Sequence, residues 1–377
     1  MLLAAEHLYT GEAVLSPGWI EIEDGRVVRL GEGEPPAPAE PTSPWLAPGL
    51  VDVHCHGGGG ASFDVATDEA LSTGLSTHRT RGTTSTVASL VTASIPDLVR
   101  QVEHLAGWVE RGELAGIHLE GPWLAPERKG AHDPALLTAP DPAVVEQVLR
   151  AGRGTIRMVT LAPELPHSQE ATAVFLRYGV VVAVGHTAAD YVTTKHAIEL
   201  GATGATHLFN AMPGLQHRAP GPVLALMRDP RVWLEIIADG IHLDAELAAW
   251  TLQTFAGRVV LITDAMAAAG FGDGDYLLGK LEVTVRDGVA RLVRDGAIAG
   301  STLILADAVR RCHALGVPAV DVLAAATVLP ATYLGLDAGR LEAGGFADVV
   351  ALDAQLGVQR TLRHGEWMPT PSTPDHR

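Results

Sequence analysis

Between Leu50 and Asp264 the chain alternates apolar stretches of strand length with stretches of helical spacing, and few folds admit that alternation. Eight such apolar stretches occur, near 50–56, 83–90, 115–120, 156–161, 180–185, 203–208, 232–238 and 258–264. Near-continuous runs of Val, Ile, Leu and Ala mark strands that are covered on both faces. The intervening segments, such as Pro142 to Arg150, repeat apolar residues at intervals of three and four, as a helix does. Eight parallel strands with crossover helices predict an α/β fold, a TIM-like (β/α)8 barrel. Its chemistry then sits on the loops at the C-terminal strand ends.

The flanks read differently. Trp19-Ile20-Glu21-Ile22-Glu23, Asp24-Gly25 and Arg26 to Leu30 form a hairpin signature with a two-residue turn. The Pro-rich stretch Pro35 to Pro48 reads as a linker. After the eighth strand an excursion from Phe271 to Gly300 carries a second hairpin at Asp287-Gly288, and helices are expected over 303–316 and 318–328. The last forty residues return to strand character. The expected division is a small β-sandwich domain built from 1–48 and 343–377, around a barrel spanning 49–342. No internal repeat or low-complexity segment interrupts it.

A formal charge of −17 over 377 residues argues against nucleic acid and anionic membrane as partners. No run of about 18 apolar residues is present to span a bilayer. The apolar start is cut short by Glu6 and lacks a basic lead, so no signal peptide is expected. Two cysteines, Cys55 and Cys312, give no disulfide framework and suit a cytoplasmic location. An anionic substrate would therefore need local positive potential from metal, Arg and His.

The strand ends supply candidates for that potential. In Val51-Asp52-Val53-His54-Cys55-His56-Gly57, residues two apart share a face, so His54 and His56 point together and Cys55 points away. Downstream, Glu120, His186, His207 and Asp264 each close an apolar strand with glycine or a small residue nearby. A lone strand histidine is commonly a satisfied core residue. Five such segments converging at one barrel mouth instead imply a divalent ion and a hydrolytic metalloenzyme. Lys129, Lys195 and Lys280 do not end a barrel strand, which speaks against a carbamylated lysine bridging two ions. Gly57 to Gly60 lack the Lys and Ser/Thr of a phosphate loop and are expected to let backbone approach the metal centre. His118 shares the face of Glu120 as support or core, and Asp52 is expected to be structural. His78, His104, His167, His196 and His313 are expected on helix or loop surfaces. Ser301-Thr302 shows no nucleophile triad.

Four pieces are more specific: His118-Leu119-Glu120-Gly121-Pro122, Lys129-Gly130-Ala131-His132, His207 to Met212, and Ala238 to His242. With them the chain resembles the N-acetylglucosamine-6-phosphate deacetylases of the amidohydrolase superfamily. The likeness runs from Ala47 through Gly300-Ser301-Thr302 to Asp348. It implies hydrolysis of the acetamido group of N-acetylglucosamine 6-phosphate, giving glucosamine 6-phosphate and acetate, by a homodimer. It also implies a principal ion on Glu120, His186 and His207, with Zn the expected metal and Fe, Co or Mn alternatives. His54 and His56 match a pair that holds a second ion in some members. Asp264 matches the catalytic acid/base, and His132 a residue beside the acetyl carbonyl. Asn210, Ala211, Arg218 and His242 match phosphate and sugar contacts, with Met266 and Leu303 lining the sugar pocket. Arg218 is placed either within its own subunit's site or across the dimer. The alternatives are another amidohydrolase, acting on a cyclic amide or a different N-acyl amino sugar, and a non-catalytic barrel.

Overall fold

The computed structural model describes residues 1–41 and 43–370; position 42 and residues 371–377 of the expected domains lie outside that range. The eight expected strands are all present. They are β1 (Leu50–Cys55), β2 (Thr83–Leu90), β3 (Gly116–Glu120), β4 (Ile156–Leu161), β5 (Val181–Val184), β6 (Gly204–Ala205), β7 (Trp233–Ile237) and β8 (Val259–Ile262). They lie side by side in chain order, each parallel to the next. Both faces are buried because helices such as Ile95–Glu110 and Pro142–Ala151 cover the outside. These helices start where the sequence supplies caps: Ser94 accepts from the Asp97 N–H, and Asp141 from Ala143 and Val144.

β1 meets the chain just past the end of β8 in a short seam. The Asp264 N–H donates to the His54 carbonyl at 2.8 Å. The Thr263 hydroxyl donates to the buried Asp52 carboxylate at 2.6 Å. Asp52 thus has the structural role expected of it, and the barrel closes beside the strand-end histidines.

Three of the strands stop short of the residues that matter. His186, His207 and Asp264 all have positive φ, at 46°, 29° and 50°. A non-glycine residue pays strain for that backbone, and such strain gathers at functional sites. Here it turns each side chain out of the ladder toward the barrel axis. The sixth strand is consequently two residues long where 203–208 was expected.

The terminal segments form two facing sheets. One holds Arg26–Glu32, Gly18–Glu23, Leu2–Ala5 and Glu40–Pro41, in that spatial order. The other runs Glu366–Trp367, Val358–Arg363, Val349–Leu352, Trp45–Pro48, His7–Tyr9 and Val14–Leu15. Leu3, Leu8, Ile20, Leu46, Val349 and Leu362 pack between them. In the first hairpin Asp24 and Gly25 both have positive φ, at 47° and 76°, as a tight two-residue turn requires. The Pro-rich stretch is not a linker throughout. Its end, Trp45–Pro48, is a strand pairing with residues from both termini, because Leu46 and Ala47 are apolar enough to be buried there.

Beyond β8, Gly274–Leu278, Leu281–Arg286 and Val289–Leu292 form an antiparallel sheet with its own small core around Val283 and Met266. Helices Leu305–Ala314, Ala319–Ala325 and Val328–Leu334 follow. His78 is not at the surface. It lies on the buried face of helix Asp68–Arg79, where its Nε2 meets the Gly57 carbonyl at 2.8 Å. Gly57 and Gly58 serve that contact and a tight turn: a Cβ there would meet the Ala61 carbonyl at 2.2 Å or His78 at 2.8 Å, not the strand-end cluster.

Candidate active site

At the C-terminal mouth of the barrel, His54, His56, Glu120, His132, His186, His207 and Asp264 converge, all buried. The His186 Nδ1 donates to the Arg128 carbonyl at 2.8 Å, so in the neutral ring Nε2 presents a lone pair. That lone pair faces Glu120 Oε1 at 3.1 Å and His207 Nε2 at 3.1 Å. His207 Nε2 in turn lies 3.0 Å from Glu120 Oε1. Three acceptor atoms so close repel unless cations or protons lie among them. Tetrahedral ligand bonds of ~2.0–2.1 Å set ligand atoms roughly 3.3 Å apart, so the donor set fits a divalent ion.

A second group adjoins the first through Glu120. His56 Nε2 lies 3.2 Å from Glu120 Oε2 and 3.1 Å from Asp264 Oδ1. His54 Nε2 lies 3.3 Å from His56 Nε2 and 3.5 Å from Asp264 Oδ1. His54, His56, Glu120 and Asp264 are close enough to hold one ion together. The electrostatics agree. Burial alone would lower the His56 pKa, but bonding to Asp264 and Glu120 overcomes it and pushes the ring up to about 9. Burial works against ionisation of Glu120, yet His54 and its other histidine neighbours hold it well below the usual carboxylate range. The cage attracts positive charge.

His132 lies close enough to Glu120 and His186 to share an ion with them, but its own hydrogen bonding sets its tautomer. Its Nδ1 accepts from the Thr92 backbone N–H at 3.3 Å, which leaves the hydrogen on Nε2. Burial lowers its pKa to about 4, so the ring is neutral near pH 7. The loop bearing it is held by the Arg294 guanidinium, which donates to the His132 carbonyl at 3.0 Å, and by an ion pair of Lys129 with Asp295 at 2.9 Å.

His56, Glu120, His132, His186, His207 and Asp264, but not His54, line a cavity of about 360 Å³. Asn210, Ala211, His242 and Arg128 line it as well. A hollow of about 970 Å³ lies between residues 59–73 and the 274–292 sheet, but it gathers no histidines and lies away from the cluster. The His242 Nδ1 pairs with Asp239 at 2.7 Å, and although burial disfavours the cation, this partner raises the His242 pKa. Three expected pocket residues lie outside the cavity wall. Arg218 is exposed on the loop before helix Gly221–Arg228, while Met266 and Leu303 are buried in packing. His118 is buried between Ser89 and Thr160, hydrogen-bonded to both.

Sequence patterns matched to known proteins agree with this geometry. Residues 45–369 match the amidohydrolase family. The chain belongs to it. Within the family, this amidohydrolase is 37% identical to the N-acetylgalactosamine-6-phosphate deacetylase of Escherichia coli O157:H7, over 97% of this chain and 98% of the relative. It is 35% identical to the N-acetylglucosamine-6-phosphate deacetylase of Vibrio furnissii, over 89% and 86%. The crystal structure of the N-acetyl-D-glucosamine-6-phosphate deacetylase of Mycobacterium smegmatis superposes with a TM-score of 0.94 at 48% identity, covering 98% of this amidohydrolase and all of that chain.

Sequence reasoning passed over Glu235, Thr92 and Arg128. Glu235 left a trace: it is the one charged residue in Trp233-Leu234-Glu235-Ile236-Ile237, an otherwise apolar strand. Thr92 and Arg128 act through loop geometry, which spacing does not encode.

Proposed function

We propose that this chain hydrolyses the acetamido group of N-acetylglucosamine 6-phosphate to glucosamine 6-phosphate and acetate. The observation that carries the reading is Asp264 set against a histidine–carboxylate cage, with a neutral His132 beside it whose hydrogen sits on Nε2, 3.6 Å from Glu120 Oε2. Relatives at 35–48% identity with deacetylase names support it.

Glu120, His186 and His207 would hold the principal divalent ion, with zinc the expected metal, and His54 and His56 would hold a second. Such an ion, when bound, lowers the pKa of water toward ~7 and so makes hydroxide available at neutral pH. The protein's own groups do the rest. Asp264 is held below the usual carboxylate range, its burial outweighed by His54 and His56, and therefore accepts the water proton as oxygen attacks the acetyl carbon. His132 Nε2–H donates to the carbonyl oxygen as charge builds there, a contact worth roughly 3 kcal/mol. Asp264 then returns the proton to nitrogen as the C–N bond breaks, so an amine leaves and not an amide anion. His242, whose pKa Asp239 raises, would face the sugar phosphate with Asn210 and Ala211, and Arg218 would reach it from the second subunit of a homodimer. The enzyme is expected in the cytoplasm; no described helix is long and apolar enough to cross a membrane.

Acetate release from N-acetylglucosamine with and without its 6-phosphate, before and after chelation and zinc readdition, tests the reading. Release that depends on both phosphate and metal is expected. Equal turnover of the two sugars would favour a broader N-acyl amino-sugar hydrolase.

A further inference from the structure

Glu235 has no part in the chemistry above, yet it is a carboxylate with no exposure at all, in the middle of β7. One of its oxygens, Oε2, lies 3.3 Å from the His54 Nδ1. The other, Oε1, meets no donor at hydrogen-bond geometry among the described residues, although the Tyr333 hydroxyl lies close enough for the carboxylate to raise its pKa. Burying a carboxylate with so few partners is costly, and a buried ionic contact is weak evidence of a stabilising role. Stability therefore does not explain Glu235. Of its two polar neighbours, the Tyr333 hydroxyl and the His54 ring, only His54 belongs to the cage. A carboxylate only accepts, so the His54 hydrogen sits on Nδ1 and the Nε2 lone pair is aimed at His56, Glu120 and Asp264, between 3.3 and 3.6 Å away. No other described histidine of the cage has a carboxylate behind it: His186 is backed by a carbonyl, and the Nδ1 atoms of His56 and His207 have no hydrogen-bond partner.

We propose that Glu235 is a positioning residue that fixes the tautomer and basicity of His54, and thereby makes the His54/His56/Asp264 side of the cage competent for a second divalent ion. The inference rests on the metal-dependent reading of the cage but not on the identity of the substrate. Carboxylate partners behind ligand histidines typically change metal affinity 10- to 100-fold.

Zinc titration of chelator-stripped protein against a competing chromophoric chelator, with metal counted by mass spectrometry, tests it without substrate. Wild type should take up two ions in two steps. Glu235→Gln keeps an acceptor but no charge and should weaken only the second step, about tenfold; Glu235→Leu should weaken it about a hundredfold. The metal-free melting temperature of the Gln variant should not fall. A wild type that binds one ion, a Gln variant matching wild type in both steps, or equal weakening of both steps would each overturn the proposal. Should the Leu variant not fold, the Gln variant decides alone. Phosphate-dependent acetate release would survive any of these outcomes, so the deacetylase reading stands or falls separately.

Discussion

Asp264 is asked both to adjoin a cation cage and to shuttle a proton, and its backbone accepts left-handed strain to reach that position. Asp264→Asn preserves shape and one oxygen but removes the base. Turnover should fall at least ~100-fold while the ion on Glu120, His186 and His207 is retained, as steady-state acetate release and metal analysis will read. His242 gives a pH signature. Its pKa is raised above 6.5 by Asp239 against the effect of burial, so the cation is present below that raised value and lost as pH climbs through it. KM for the phosphorylated sugar should therefore rise on the alkaline side, with KM for the unphosphorylated sugar nearly flat. At this scale the sequence was informative where chemistry and strand ends coincide. His54, His56, Glu120, His186, His207 and Asp264 each follow an apolar run, and the structure brings all of them together. It was silent on Thr92 and Arg128, because what they do depends on the loop that folds toward them.

The seam between β1 and β8 rests on few bonds, with the Asp52 carboxylate at its centre. Thr263→Val keeps the volume and deletes the donor to that buried carboxylate. A loss of about 2 kcal/mol is expected from a hydrogen bond to a charged group, seen as a lower urea midpoint with an unchanged slope. The same substitution deletes the acceptor of the Ala265 N–H, next to Asp264, so kcat should fall with stability, unlike a change on the far side of the barrel. Most strands were legible to within a residue or two because their apolar runs are long and uninterrupted. β6 was overestimated since Thr206-His207-Leu208 continues the apolar pattern while the backbone turns away at His207. The strand Trp45–Pro48 was hidden by flanking prolines, which mark an edge or an end as readily as a linker.

For the molecule as a whole, the informative residue is Arg218, exposed and without a side-chain partner among the described residues. If it completes a neighbour's cavity, then mixing two inactive chains should restore activity. Unfolding and refolding Arg218→Ala together with Asp264→Asn would give hybrids in which one site has both groups intact. Phosphate-dependent turnover well above either parent is expected, and turnover no better than the sum of the parents would put Arg218 in its own subunit's site or in none. The outer architecture carries a different consequence. Trp45–Pro48 pairs with Val349–Leu352, so one edge of this strand has no permanent neighbour until some 300 residues more have been made. At ~5–20 residues per second that wait is on the order of 15–60 s, during which the nascent amino-terminal hairpins keep an apolar side uncovered and available to a chaperone.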